Sequence, residues 1–323
     1  MLPEVICLGA VNVDLVYRLA DPEAFLTAWG TGLRRGGQEV LSPEDEVRLR
    51  ELLSRHATPA GRRGGGQAAN TAYALARLGV PAALVGRVGA DEDGKFVKEN
   101  LAGVSLDYLV SHGESGRAYN LLDPAGERTI LVAPGTNDEL RESDLPWEVL
   151  PRAKFLHCTS FAGDGPLQVQ TQAALRLQGR PRLTLDPGEL YARRGRTALT
   201  GLLDQAETLL VTEAEWAMLG GEMKRHPDWA PPIVLIKRGP EGARLLTPVR
   251  YLDIPPENRG LLVDTRGGGD VFAAGYITGL LIGLNLPQAA RLAAKAAAYK
   301  ITGAGRERYP DQQALRVMIA QLR

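Results

Sequence analysis

The chain has 323 residues, 44% hydrophobic and 24% charged, and its 38 basic and 38 acidic side chains cancel to a formal net charge of zero. This is the composition of a globular protein with room for one large core and a small appendage. The charge balance argues against nucleic acid as a partner, no apolar run approaches bilayer length, and two cysteines with four histidines make neither a metal cluster nor a disulfide framework.

The first element predicted is a strand over Glu4–Gly9, a continuous apolar run of the kind buried on both faces of a parallel sheet. No basic segment with an apolar core precedes it, so no signal peptide is expected. Cys7 and Cys158 read as small buried side chains in a reducing compartment, and the expected location is cytoplasmic. Asp14 is expected near the C-terminal end of this strand. From there to Gly64 the chain is polar and glycine-punctuated. Pro43–His56 is the one helix expected there, capped by Ser42. Next comes a helix from Ala68 to Leu78, closed by Gly79, and a strand over Ala82–Gly86.

Arg117–Leu122 and Glu127–Val132 flank a turn at Asp123–Gly126 and read as a hairpin. Strands are then predicted at Phe155–Cys158, Arg182–Leu185, Thr208–Val211 and Ile233–Ile236, with helices at Gln168–Gln178 and Gly195–Gln205. A strand-like run at Gly260–Val263 leads into Asp264-Thr265-Arg266-Gly267-Gly268-Gly269-Asp270 and a helical pattern through Gly283. The alternation implies one α/β unit over 1–323: a doubly wound, mostly parallel sheet flanked by helices. Segments at about 15–63 and 116–134 interrupt it and could form a small lid.

The 264–270 segment carries the most chemistry. Successive glycines let backbone approach a ligand, and the first amides of a helix favour negative charge. An aspartate in the same turn would repel a phosphate unless it faces an incoming nucleophile. A carboxylate beside an anion hole is what phosphoryl transfer to an alcohol requires, although a glycine-rich turn with Asp270 as N-cap has the same spelling. Gly64-Gly65-Gly66 with Asn70 could hold neutral hydroxyls, or be a plain loop before a capped helix. Asp14 could accept two hydroxyl protons, or be a surface acid. Gly239 and Gly242, after Lys237, could shape a nucleotide pocket or turn a hairpin. Glu215 could reach a metal–phosphate through water, or merely favour a helix dipole.

In this order along the chain, these motifs resemble the ribokinase-like (PfkB) carbohydrate kinase family over nearly the whole length. Both family signatures have counterparts, the first in Gly64–Gly94 and the second in Asp264–Gly275. The resemblance implies Asp270 as the base and Gly267, Gly268 and Gly269 as the anion hole. It implies Asp14, Gly65, Gly66 and Asn70 as holders of acceptor hydroxyls, Lys237, Gly239 and Gly242 as nucleotide-binding, and Glu215 as the acid that organises magnesium. Thr212 stands where the family's N-x-x-E motif has asparagine, and Gly268 where alanine is usual. Asp186-Pro187-Gly188 resembles the family's D-P-N segment without the arginine found near it in kinases of ketodeoxy acids, which weighs against an acidic sugar.

The function implied is therefore an ATP- and Mg2+-dependent kinase of a sugar hydroxymethyl group, with no membrane partner and with the lid as a surface for a homodimer. Two alternatives stand beside it. Phe25–Gly36 and Glu127-Arg128-Thr129 look like stretches of the adenosine-kinase branch, so a larger lid could cover a nucleoside base, with Phe25 or Trp29 stacking on it. A non-catalytic sugar or nucleotide sensor would keep the fold without turnover. A nicotinamide oxidoreductase is disfavoured, because no G-x-G-x-x-G follows the first strand.

Overall fold

The computed structural model describes residues 2–322 apart from Thr31, Gly32, Arg34, Asn258 and Arg259. In chain order the first half holds β1 (Val5–Leu8), β2 (Asn12–Leu19), α1 (Pro22–Trp29), β3 (Gln38–Val40), α2 (Pro43–His56), β4 (Ala57–Gly65), α3 (Gln67–Arg77) and β5 (Ala82–Val88). There follow α4 (Glu92–Glu99), β6 (Leu109–Ser111), β7 (Gly116–Leu122), β8 (Arg128–Ala133), β9 (Phe155–Thr159), α5 (Asp164–Leu177) and β10 (Arg182–Asp186). The rest is α6 (Gly188–Ala192), α7 (Gly195–Leu203), β11 (Thr208–Thr212), α8 (Glu213–Met218), β12 (Ile233–Lys237), β13 (Ala243–Leu246), β14 (Tyr251–Ile254), α9 (Gly268–Leu281), α10 (Leu286–Lys300) and α11 (Gln312–Ala320).

Nine strands form the main sheet in the order β14-β13-β12-β11-β10-β9-β1-β5-β6. Pairing is parallel from β12 through β6, and only the β12–β13 and β13–β14 pairings at one edge are antiparallel. The continuous apolar runs have a direct cause. Along β1, Val5 and Cys7 enter one core while Ile6 and Leu8 enter another; Ile233 and Leu235 oppose Val234 and Ile236 in the same way along β12. Helices cover both faces, so neither face can be polar. On one of them α9 packs against α10 so closely that a Cβ on Gly279 would lie 2.9 Å from Cα of Ala289, and one on Gly275 3.0 Å from Cα of Ala293. Glycine on α9 and alanine on α10 permit that contact. Among the described residues no helix is long and apolar enough to cross a membrane.

A second, five-stranded sheet runs β3-β8-β7-β2-β4. It draws on residues 12–65 and 116–133, and it has its own core. Phe25 and Trp29 of α1 and Leu49 and Leu53 of α2 pack on Tyr119, Leu121 and Leu131. The hairpin appears as β7 and β8, and Pro43–His56 forms with Ser42 Oγ accepting from the amide of Asp45.

Two expectations fail here. Asp14 does not emerge at the end of β1, which stops at Leu8; it lies within β2, between β7 and β4 of the second sheet. Gly260–Val263 forms no strand, and Leu261 is 83% exposed. Its residues have strand-forming side chains, but among the described residues no strand pairs with them, and the amide of Val263 goes to the Ile301 carbonyl instead.

Candidate active site

The chain turns into α9 at Gly267, whose φ of +72° favours a residue without a side chain. A Cβ there would also lie 2.4 Å from the Tyr309 hydroxyl. The amide of Gly268 donates to the Thr265 carbonyl at 3.1 Å, while those of Gly269 and Asp270 have no acceptor among the described residues. Unpaired amides at the positive end of a 14-residue helix make an anion-binding surface. The turn is braced from below by Asp264. Its carboxylate accepts from the Arg266 side chain (2.8 and 2.9 Å), from the Gly305 amide (2.9 Å) and from Arg63 (3.4 Å). Burial would raise Asp264, but these donors overcome it and hold the carboxyl far below the usual range.

Asp270 follows in the first helical turn, only 8% exposed. Burial and the nearby Asp186 carboxylate push its pKa up to about 7, against opposing pulls from Asn70, Lys237 and Arg306. Asn70 Nδ2 donates to Asp270 Oδ2 at 2.9 Å, and Arg306 Nη2 donates to Asn70 Oδ1 at 2.9 Å. Arg306 is itself fixed by the Asn100 carbonyl (2.7 Å) and by the ring of Tyr73, 4.8 Å away. The arginine therefore dictates which end of the Asn70 amide faces Asp270.

A cavity of about 400 Å³ lies between this helix end and the second sheet, large enough for a sugar. Its wall includes Asp14, Gly66, Asn70, Glu215, Gly267 and Asp270 from the expected set. It also includes Asn12, Asn120, Arg128 and Arg266, which sequence reading left out. Those missed side chains come from strands of the second sheet and from the turn itself. On β7 and β8 they alternate with the residues that face the third core, a period-two signal visible in Ala118-Tyr119-Asn120-Leu121. The Asp14 carboxylate has no hydrogen-bond donor among the described residues; burial pushes its pKa up to about 6, although Arg128, Arg306, Arg266 and Arg63 all oppose the rise.

The other expected residues are placed differently. A Cβ on Gly65 would lie 2.1 Å from Asp14 Oδ1, and one on Gly66 2.2 Å from the Ala10 carbonyl. These glycines make room for protein atoms as much as for a ligand. Gly239 and Gly242 bracket the turn from β12 to antiparallel β13 and do not line this cavity. Lys237, at the end of β12, pairs with Asp186 at 2.7 Å. Its Nζ would lie 3.4 Å from a Cβ on Gly269, which puts the ammonium beside the helix N-terminus. Burial pulls Lys237 down, yet Asp186 and Glu215 together leave it raised. Glu215 closes a reciprocal cap: its Oε2 accepts from the Thr212 amide at 2.7 Å, and Thr212 Oγ1 accepts from the Glu215 amide at 3.2 Å. The T-x-x-E spelling of that cap was available in the sequence, and it shows what threonine does at this position. Burial raises the Glu215 pKa, partly offset by Lys237.

One expectation is overturned. Phe25 is fully buried and Trp29 is 9% exposed, both in the core of the second sheet on the face opposite the cavity. Neither offers a stacking face to a base. Thr31, Gly32 and Arg34 of the same stretch lie outside the described residues.

Residues 44–311 match the profile described as pfkB family carbohydrate kinase. The chain belongs to that family. An uncharacterized sugar kinase of Archaeoglobus fulgidus is 31% identical over 226 residues, 68% of this chain and 90% of that one. An ATP-dependent ribose-1-phosphate kinase of Halopiger xanaduensis is 33% identical over 220 residues, 66% and 72% of the two chains. The crystal structure of adenosine kinase from Sinorhizobium meliloti superposes with a TM-score of 0.83 at 20% identity, covering 100% of both chains. Arabidopsis thaliana ribokinase complexed with ribose and ATP superposes with a TM-score of 0.79 at 24% identity, covering 99% of both. The two superpositions show the ribokinase-like fold. As a pfkB carbohydrate kinase, the chain is a phosphotransferase with an alcohol group of a sugar as acceptor.

Proposed function

We propose that the enzyme transfers the γ-phosphoryl group of ATP to a hydroxymethyl oxygen of a sugar, with Asp270 as general base. The observation that carries this is a buried carboxylate with a pKa near 7 in the same helical turn as two unpaired amides. A base with that pKa is half ionised at neutral pH, where proton transfer is most effective. The acceptor oxygen forms a bond to the γ-phosphorus as the bond from that phosphorus to the β–γ bridging oxygen breaks. The hydroxyl proton passes to Asp270, and ADP leaves. The amides of Gly269 and Asp270 and the Lys237 ammonium face the charge on the transferring group.

Asp14 holds acceptor hydroxyls, since its carboxylate is unpaired and lines the same cavity. Asn70 has both ends engaged, so its first task is to orient Asp270. Mg2+ is the expected companion of ATP and supplies charge neutralisation across the phosphates. The donor set fits, because Mg2+ shared with phosphates needs one or two carboxylates, and Glu215 keeps one oxygen outside its cap. The second sheet closes over the acceptor as a lid. Among the described residues β4 pairs only with β2, and a second copy of the chain would add at its open outer edge if the enzyme dimerises.

A free-standing sugar is favoured over a nucleoside, because the lid aromatics are buried away from the cavity. The relative named as a ribose-1-phosphate kinase and the one named as a sugar kinase support the same choice. A coupled ADP-release assay over ribose, fructose, adenosine and inosine tests it: sugars should lead by more than about tenfold in kcat/KM, about 1.4 kcal/mol. A nucleoside lead of that size overturns it. In the same assay Glu215→Gln should raise the Mg2+ concentration for half-maximal rate, and an unchanged titration removes Glu215 from the site.

A further inference from the structure

Asp186 closes β10 with its side chain only 2% exposed, and no step of the transfer yet uses it. Its Oδ2 accepts from Lys237 Nζ at 2.7 Å. Its Oδ1 accepts from the Gly188 amide at 3.3 Å and from Gln67 Nε2 at 3.5 Å. Gln67 is fixed in turn, its Oε1 accepting from Ser160 Oγ at 3.0 Å. Gly188 has a φ of +53°, and a Cβ there would lie 2.7 Å from Gln67 Oε1, so a side chain at that turn would push the glutamine away. β11 lies between β10 and β12, so the ion pair reaches across the C-terminal end of a whole strand. Well-packed apolar side chains in place of a buried ion pair are often no less stable, so stability alone gives no reason for this one. Charges face Asp270 from four elements: Asp186 on β10, Lys237 on β12, Arg306 in the loop after α10, and Lys300 at the end of α10. Cys7 and Tyr309 lie near as well, and burial raises both so that they stay neutral. Within that set only Asp186 is negative.

We propose that Asp186 is a positioning residue of the phosphoryl transfer, holding the Lys237 ammonium at the N-terminus of α9 and presenting a fixed negative charge to Asp270. This rests on the kinase reading above and adds the group that sets two of its charged participants. Asp186 acts through Lys237 and Asp270, not on the reacting atoms. A lysine ammonium on its flexible four-carbon stem has many rotamers open to it. The ion pair holds it 3.4 Å from where a Cβ on Gly269 would stand, beside the unpaired amides. The same carboxylate makes Asp270 harder to ionise, and therefore a stronger base toward the hydroxyl proton. The two halves of the pair must then push Asp270 in opposite directions. Without Asp186, Lys237 acts on Asp270 unopposed and a like charge is gone, and both changes favour the ionised form. Without Lys237, Asp186 is left as an uncompensated like charge, which disfavours it. A pair that only braced the fold would move no titration. The transfer itself is unchanged, with the hydroxyl proton passing to Asp270, the γ-phosphoryl group to the acceptor oxygen, and ADP released.

The test records kcat against pH, with ATP, Mg2+ and the leading acceptor of the ADP-release panel all saturating. Wild type, Asp186→Asn, Lys237→Met and the double variant are compared. The acidic limb should lie lowest in Asp186→Asn, about one pH unit or more below wild type, and highest in Lys237→Met. The double variant should fall between Asp186→Asn and wild type, because the repulsion lost outweighs the attraction lost. On the plateau Asp186→Asn should lose about tenfold in kcat, since its lysine is no longer held, with KM for the acceptor unchanged. Limbs that coincide with wild type, or that move the same way in both single variants, would overturn the role of Asp186. So would a plateau kcat kept in Asp186→Asn. Should a single variant unfold, the double variant still decides, because it removes both buried charges together. A limb at or above the wild-type one in that variant overturns the proposal. Turnover with its acidic limb intact in Asp270→Asn would sink the general-base reading and this one with it. An inactive Asp270→Asn beside unmoved limbs sinks Asp186 alone.

Discussion

The two sheets treat the same cavity in opposite ways. The main sheet delivers its contribution through the end of β12 and through α9, a helix whose apolar residues lie in one large core, so that Asp270, Lys237 and the amides of the Gly267 turn sit on backbone with little room to shift. The second sheet delivers Asp14, Asn120 and Arg128 from strands whose opposite face packs on a separate core. A cavity wall with its own core can change without disturbing the other wall. On the proposed reading the chemistry belongs to the helix end, and the choice of acceptor belongs to the small sheet. That division can be broken experimentally from either side.

The sharpest blow falls on the helix end. Asp270→Asn should lower kcat by roughly 10²–10⁴-fold, the usual worth of a positioned base, while the thermal midpoint is kept or raised. Near wild-type kcat in that variant would remove Asp270 from the chemistry. The pH dependence carries a matching signature with two opposite slopes. Activity should rise with pH through about 7 as Asp270 ionises. Stability should move the other way, because a carboxyl whose pKa is 3.8 unfolded and about 7 folded stabilises the protein below about pH 4 and loses that contribution as pH rises through 7. Thermal melts of wild type minus Asp270→Asn should show the difference becoming more negative from pH 4 to pH 8. A flat difference would contradict the shift.

Gly269→Val comes next. Gly269 is helical and needs no positive φ, so the added side chain meets the end of Lys237 and not rigid backbone. Turnover should fall by about 10²-fold through displacement of the anion-binding surface, with little change in the melt. Unfolding ahead of the activity loss would make the turn structural.

Arg306→Met is expected to cost about tenfold, one charge-assisted hydrogen bond's worth. A positioning role predicts more than a slower enzyme: without the arginine Asn70 can flip its amide and Asp270 loses a cation, so the acidic limb of the kcat profile should move to higher pH. An unmoved limb would leave Arg306 as a mere brace.

The smallest catalytic effect is expected from the small sheet's core. Phe25→Ala should remove about 3–5 kcal/mol of packing there and raise KM for every acceptor alike, leaving the ratio of ribose to adenosine unchanged. A selective loss for adenosine would restore the stacking role that the buried position denies it.

How much of this was legible beforehand follows from what each element depends on. Glu4–Gly9 and Ile233–Ile236 announced themselves because burial on both faces leaves no polar position, whereas Asp270 stood out only through the family resemblance, since glycine, glycine, aspartate at a helix start also spells a plain capped turn. The hairpin at Arg117–Val132 was set by its turn residues and Pro43–His56 by its cap; both are local interactions. Asp14 was recognised but misplaced, because the strand that carries it pairs with β7, about a hundred residues on in the chain. Arg128 passed unremarked as a site residue, since an arginine in a hairpin looks solvated until the cavity beside it is known. By itself the sequence determined most of the elements, the doubly wound sheet and the glycine-rich turn that opens α9, all products of local propensity and burial pattern. Only the tertiary structure decided which face of the small sheet meets the cavity and that Arg306 orients Asn70 toward Asp270. Those outcomes depend on contacts across a hundred residues or more, which no local pattern encodes.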